Sequence, residues 1–206
     1  MEKGYFISFE GVDGSGKSTQ IIKLKNFFEE KGYQVVLTRE PGGTDIGEKI
    51  RHIILDTANR SMTYMTEALL YAASRAQHVE EVIRPAVESG KIVICDRFVD
   101  SSIAYQGYGR QLGDCVDVIN RYAIEKYIPD ITFLMKVKPG IGSDRIKDRE
   151  LDRIELEAEE FHLRVYRGYE ELEKKFPERI IGIDASQTIE EIEGSIIKHI
   201  ERLMKK

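Results

Sequence analysis

The chain has 206 residues, 41% of them apolar and 33% charged, enough for one well-buried core, short for two domains, and too apolar for disorder. Its net charge is −5, with basic residues spaced singly between acids, which excludes nucleic acid as the main partner because that needs a concentrated basic patch. No apolar run reaches 18 residues, the first run stops at Glu10, and Cys95 and Cys115 fit no CxxC pattern, so the expectation is a cytoplasmic protein without signal peptide, membrane span or disulfide framework.

Strands are expected at 5–9, 34–38, 92–95, 131–136 and 179–183. These runs are nearly continuous in apolar residues, as strands buried on both faces of a parallel sheet should be. Helical stripes fall between them. Ile21, Leu24 and Phe28 mark a first helix ending at Lys31-Gly32. Thr44 caps a second, striped by Ile46, Ile50, Ile53 and Ile54. A long helix over 64–88 carries Met65, Leu69, Ala72, Ala76, Val79 and Ile83 on one side, with Pro85 set to kink or shorten it. Helices starting near Asp100 and Cys115 precede Pro129, and a charged, mostly helical segment runs over 143–175. Thr188 with Glu191 forms a capping box for the last helix, striped by Ile192, Ile196 and Ile200. The alternation implies one α/β domain over 1–206, with a doubly wound parallel five-stranded sheet flanked by helices.

Directly after the first strand comes Gly11-Val12-Asp13-Gly14-Ser15-Gly16-Lys17-Ser18, a match to GxxxxGK[ST] in its working context of strand, loop and helix. Glycines let successive N–H groups turn inward as an anion nest, and the helix N-terminus adds its dipole. Lys17 is placed for the β- and γ-phosphates and Ser18 for Mg²⁺. The loop alone does not separate an NTPase, a GTPase switch, a motor and a small-molecule kinase. The chain has no NKxD and no LSGGQ, which leaves small-metabolite kinases as the leading class.

Three clusters suggest where an acceptor binds. Thr38-Arg39-Glu40-Pro41-Gly42-Gly43-Thr44 puts an Arg–Glu pair at a strand's C-terminal end, where such sheets bind ligands; it reads equally as a turn with an exposed ion pair. Asp96-Arg97-Phe98 ends a central strand, so that Asp96 is placed for Mg²⁺ and Arg97 for a phosphate, unless the two form a structural pair. Tyr71 and Arg75 share a helix face, suited either to a base or to ordinary packing.

Taken in order, Phe9-Glu10-Gly11, Thr38 to Thr44, Leu69-Leu-Tyr-Ala-Ala-Ser-Arg75, Asp96-Arg-Phe-Val-Asp-Ser-Ser-Ile-Ala-Tyr-Gln106, Leu151-Asp-Arg-Ile-Glu155 and Ile183-Asp-Ala-Ser-Gln187 resemble the thymidylate kinase family over nearly the whole chain. The resemblance implies the P-loop NTPase fold, ATP as co-substrate, Mg²⁺, dTMP as acceptor and a homodimer built through helix packing. It implies that Gly11 to Ser18 and Thr19 hold the nucleotide, with Asp13 near the acceptor sugar and the metal. Arg97 and Arg51 would bind the acceptor phosphate, with Arg39 and Glu40 lining the same area. Tyr71 would stack on thymine and Arg75 face its O4, Ser102 and Gln106 would contact the base, and Tyr105 would lie under the sugar where a 2′-hydroxyl collides. A lid over about 143–153 would supply a catalytic arginine from Arg145, Arg149 or Arg153, with Arg145 also toward ATP, and Gln187 would line the adenine side. The lid approach departs from the family in reading Pro139-Gly-Ile-Gly without an acid, and Arg149 joins Glu150 without an inserted glycine.

The implied reaction moves the γ-phosphoryl group of ATP onto a phosphate oxygen of dTMP, giving dTDP and ADP. Its rivals are a kinase for UMP, CMP or AMP, and an ATP-dependent switch without an acceptor.

Overall fold

The computed structural model describes residues 4–137 and 151–205. Five strands form one sheet in the order β2-β3-β1-β4-β5, and every pairing is parallel. They are β1 (Phe6–Glu10), β2 (Val35–Arg39), β3 (Ile92–Asp96), β4 (Ile131–Lys136) and β5 (Ile180–Asp184). Four reach one residue further than the apolar runs suggest, because the ladder takes in the polar residue at the end. Phe9 pairs with Asp96, Arg39 with Asp96 and Lys136 with Asp184. The carboxyl edge of the sheet therefore carries Glu10, Arg39, Asp96, Lys136 and Asp184, all within regular backbone.

The period-two alternation of each strand serves two cores. Ile7, Phe9, Ile92, Ile94, Ile131, Phe133 and Met135 point to one face, under Ile21, Leu24 and Phe28 of α1 (Lys17–Glu30) and Ile192, Ile196 and Ile200 of α8 (Ile189–Leu203). Phe6, Val93 and Cys95 point to the other, with Leu134 beside them. That face is covered by the π-helical turn (Val79–Ile83) that follows α3 (Tyr64–His78), by α4 (Arg84–Glu88), α5 (Val99–Ser102) and α7 (Glu159–Lys175), and by Ile124. The remaining helices are α2 (Asp45–Leu55) and α6 (Cys115–Ile124). A fully buried Ile or Phe contributes roughly 1.5–3 kcal/mol of transfer free energy, which explains why the strand runs had to be apolar on both sides. At α8 the capping box is present: Thr188 Oγ1 accepts from Glu191 N–H while Glu191 accepts from Thr188 N–H at 3.0 Å.

Several expected helices differ in detail. The single helix over 64–88 is three pieces, α3, the π-turn and α4. Pro85 has no N–H to return to the preceding turn, and the wider π-turn stands immediately before it. The expected stripe is also rotated at its start: Met65 and Leu69 are 40% and 50% exposed, whereas Glu67, Ala68, Ala72, Ser74, Arg75 and His78 are buried. Ile46 and Ile53 of α2 face solvent as well. The helix near Asp100 is α5 running into a π-helical stretch, Ile103–Gly109. Within 143–175, residues 151–158 form turns and the helix begins at Glu159.

Candidate active site

The phosphate loop joins β1 to α1, so its glycines face the carboxyl edge of the central strand. Gly11 has φ 127°, and a Cβ there would come within 2.5 Å of Met135 O on β4; only glycine allows that approach. Gly16, φ 89°, caps α1. Lys17 opens the helix, 6% exposed, with Nζ donating to Gly11 O and Val12 O at 3.1 Å each and lying 3.9 Å from Asp13 Oδ1. Burial, then the Arg97 charge, pulls its pKa down to about 8, opposed by Asp13, Asp96 and Glu10. The ammonium is thus held by loop carbonyls next to a cradle made for anions. Ser15 is buried with its Oγ unpartnered, while Ser18 and Thr19 are exposed on the first turn of α1.

Asp96 ends β3 beside β1, and its Oδ1 is buried without a hydrogen-bond partner among the described residues. A buried carboxylate oxygen with an unused lone pair, near Lys17 and on the same edge as Ser18, fits a hard cation. Among the described residues no three carboxylate, histidine or cysteine groups cluster to hold a metal on their own. A magnesium ion here would need phosphate oxygens to complete its shell.

Arg97 follows Asp96 with a left-handed backbone, φ 67°, a conformation of non-glycine residues found where the surroundings over-determine it. Its N–H donates to Phe9 O at 2.8 Å. Its guanidinium donates from Nη2 to Asp13 Oδ1 at 2.9 Å and from Nη1 to Tyr169 OH at 3.2 Å and Ser101 Oγ at 3.3 Å. It also stacks over the Tyr105 ring, 5.3 Å from the centroid. Burial pushes the Tyr105 phenol up to about 12, and Tyr71, also within reach of Tyr105 and Arg97, is raised by burial too. Both therefore stay neutral and present apolar rings with a polar tip.

Other expected site residues are placed differently. Arg75 is 1% exposed. Nε donates to Glu40 Oε2 at 2.7 Å, Nη1 to Ser102 Oγ at 2.9 Å and to Asn120 Oδ1, and Nη2 to Phe98 O at 3.1 Å while lying 2.7 Å from Glu40 Oε2. Its donors all face protein groups in this structure. Glu40 is spent on Arg75 and His78. Ser102 is occupied by Arg75. Arg39 is exposed and pairs with Glu48 at 2.8 Å, and Arg51 donates to Pro41 O at 2.9 Å. Gln106 donates to Glu67 Oε1 at 3.0 Å, leaving its own Oε1 buried and unpartnered. Gln187 is exposed in the turn before α8.

Of the lid candidates, Arg153 lies among the described residues. That residue is 7% exposed, with Nη2 on Glu67 Oε2 at 2.7 Å and Nε on Ile54 O at 2.8 Å. Here the guanidinium ties the end of the lid segment to the end of α2 and to α3. Arg145 and Arg149 lie outside the described residues, as does most of 143–153.

Three residues that the sequence reading passed over belong to the centre. Glu10 and Ser101 sit in quoted motifs, and an acid closing a wholly buried strand was the available signal for the first. Tyr169 had none: it lies on a charged helix 72 positions from Arg97.

A strand–loop–helix phosphate cradle, a buried lysine within it and an anchored arginine across from it define a P-loop phosphotransferase. Comparison with known proteins narrows the class. A thymidylate kinase family model matches residues 9–196. The chain is 53% identical over 203 residues to a thymidylate kinase of an Exiguobacterium species, covering 97% of this chain and 96% of the relative. It is 52% identical over 194 residues to one of a Geobacillus species, covering 92% of each. The crystal structure of thymidylate kinase from Ehrlichia chaffeensis matches with a TM-score of 0.79 at 36% identity, over 97% of this chain and 99% of that one. The chain belongs to the thymidylate kinase family.

Proposed function

We propose that the chain acts as a single catalytic domain that transfers the γ-phosphoryl group of ATP to dTMP, forming dTDP and ADP, at the edge where Lys17, Asp13, Asp96 and Arg97 meet. The observation that carries the residue assignment is Arg97: a strained, triply anchored guanidinium facing the P-loop lysine across Asp13. The acceptor phosphate is itself an anionic nucleophile, so catalysis rests on alignment and charge neutralisation without a strong general base. Lys17 exchanges two loop carbonyls for the β- and γ-phosphates, which also favours its charged form. Arg97 takes the acceptor phosphate with its fork of donors. Ser18 and Asp96 would hold Mg²⁺, which when bound supplies charge neutralisation on the phosphates. Asp13 orients both cations. Tyr71 and Tyr105 offer ring faces to base and sugar over the floor built by Arg75, Glu40 and Ser102, with Gln106 Oε1 free to accept from the base. Arg51 and Arg39 lie at the rim, Gly11 to Thr19 and Gln187 line the ATP side, and the lid supplies a catalytic arginine from Arg145, Arg149 or Arg153.

An ADP-release assay with ATP and Mg²⁺ against dTMP, dUMP, UMP, CMP, AMP and GMP tests this reading. Strong preference for dTMP is expected. Preference for UMP, CMP or AMP overturns the pocket roles of Tyr71 and Tyr105, and turnover without any acceptor dependence points to a nucleotide switch.

The enzyme works in the cytoplasm, with its nucleotide substrates, and as a homodimer. The helices α2, α3 and α6 expose Ile46, Ile53, Met65, Leu69, Val118 and Tyr122 by 40–83%, apolar surface of the kind that marks an interface. No helix among the described residues is long and apolar enough to cross a membrane, so that surface is not a bilayer anchor of that type. Sedimentation at twice the chain mass is expected, with Leu69→Asp shifting it to the monomer; a monomeric unmodified chain rejects the dimer.

A further inference from the structure

Glu10 has no exposed surface and touches neither nucleotide-binding loop atoms nor the expected metal ligands through any hydrogen bond described above. Its Oε1 accepts the Phe98 N–H at 2.7 Å. Its Oε2 accepts Ser101 Oγ at 2.5 Å and Tyr169 OH at 3.0 Å. Those two hydroxyls, 2.9 Å from each other, are the oxygens on which Arg97 Nη1 rests.

A hydroxyl has one proton and two lone pairs. With both protons drawn toward the carboxylate, the lone pairs of Ser101 and Tyr169 face the guanidinium. A carboxamide, or an acid protonated on Oε2, donates from that position, so Ser101 and Tyr169 can no longer both point their protons at it, and the fixed orientation of their lone pairs toward Arg97 is lost. Glu10 also closes the strained turn from the backbone side. Arg97 N–H is bound by Phe9 O and Phe98 N–H by Glu10, so the left-handed residue is pinned on both flanks by the end of β1.

We propose that Glu10 is a positioning residue for phosphoryl transfer: through the hydroxyls of Ser101 and Tyr169 its carboxylate fixes the Arg97 guanidinium against Asp13, in line for the acceptor phosphate. The proposal rests on the reading of Arg97 given above and adds the groups that hold it in place.

The charge state of Glu10 provides an independent readout. Burial first, then the Asp100 carboxylate, lifts its pKa to about 7, against Ser101, Arg97 and the Phe98 N–H, which favour the anion. The other titratable and charged groups facing it are Lys17 on α1, Cys95 on β3, Tyr105 on the π-helical stretch, Tyr169 on α7 and Arg179 ahead of β5. The anion is the aligning form, so alignment is lost as pH falls through about 7.

The experiment measures kcat, KM for dTMP, ATP Kd and the pH profile of kcat for the full chain carrying Glu10→Gln, Tyr169→Phe, both together, or Arg97→Ala. Glu10→Gln is expected to lower kcat by about 10–100-fold, the range seen when a group that orients a functional ligand is removed, with ATP Kd unchanged. Tyr169→Phe is expected to lower kcat less, the double variant to be no slower than Glu10→Gln alone, and the acidic limb near pH 7 to move down in Glu10→Gln toward the second ionisation of the acceptor phosphate, at about 6. Normal kcat in Glu10→Gln beside a crippled Arg97→Ala overturns the proposal and leaves the Arg97 reading standing. Full activity in Arg97→Ala removes the reading itself. Losses that multiply in the double variant, or an acidic limb that stays unmoved in Glu10→Gln, show independent roles and overturn the relay. Should Glu10→Gln fail to fold, Tyr169→Phe decides, unchanged kcat counting against the proposal.

Discussion

Replacing Arg97 by alanine lowers kcat by about 10²–10³-fold, the loss typical of one charged contact to a transition state, while the Kd for ATP holds within about twofold under the uniform-binding criterion. Arg97 Nη2 binds Asp13, and Nη1 binds Ser101 and Tyr169, so the side chain is positioned before substrate arrives. Lys17, which is placed for the phosphates of ATP, is tied to the loop carbonyls and not to Arg97. On the proposed assignment, removing Arg97 strips the acceptor phosphate of its partner and leaves the ATP cradle standing. Steady-state rates with dTMP, together with calorimetric titration of ATP, separate the two effects. Equal loss in rate and in ATP affinity would place Arg97 on the nucleotide side and refute the assignment.

The second large effect concerns stability. Glu67→Ala is expected to destabilise the fold by about 3–5 kcal/mol, the cost of leaving buried charge uncompensated. Glu67 has no exposed surface. Its Oε2 accepts from Arg110 Nη2 at 2.9 Å and Arg153 Nη2 at 2.7 Å, and its Oε1 from Arg110 Nε at 3.1 Å and Gln106 Nε2 at 3.0 Å. Without it Arg153 keeps, among the described residues, a carbonyl contact at Ile54, and Arg110 keeps Glu157 at 2.7 Å with the rings of Tyr64 and Phe161. Urea unfolding measures the change. A loss below about 1 kcal/mol would mean that the two arginines relax to water, as surface pairs do, and that the cluster does not tie α3 to residues 151–157.

How much of this was legible in advance depends on the range of the interaction. The strands were readable because a strand covered on both faces has to be apolar throughout, and the register moved their ends by one residue only because Glu10, Arg39 and Asp184 join the ladder. The phosphate loop was readable because its chemistry is local: glycines at Gly11 and Gly16 and a lysine at the helix start work through adjacent backbone. Arg97 was visible as a residue type at a strand end, but its three anchors were not.

The amino-acid sequence by itself determined the parallel α/β architecture, the P-loop between β1 and α1, the last helix with its capping box, and membership of the thymidylate kinase family. Each of these is written in periodicity, in local backbone demands or in ordered motifs. Only the tertiary structure decided which charges are spent on the fold and which face the cleft. Arg75 and Arg153 read as functional arginines, yet they are buried and paired with Glu40 and Glu67, 35 and 86 positions away. Tyr169 reads as a helix residue, yet it meets Glu10 across 159 positions. The physical reason is that a buried charge must find its counter-charge wherever packing brings one within hydrogen-bond distance, and spacing along the chain carries no record of that distance.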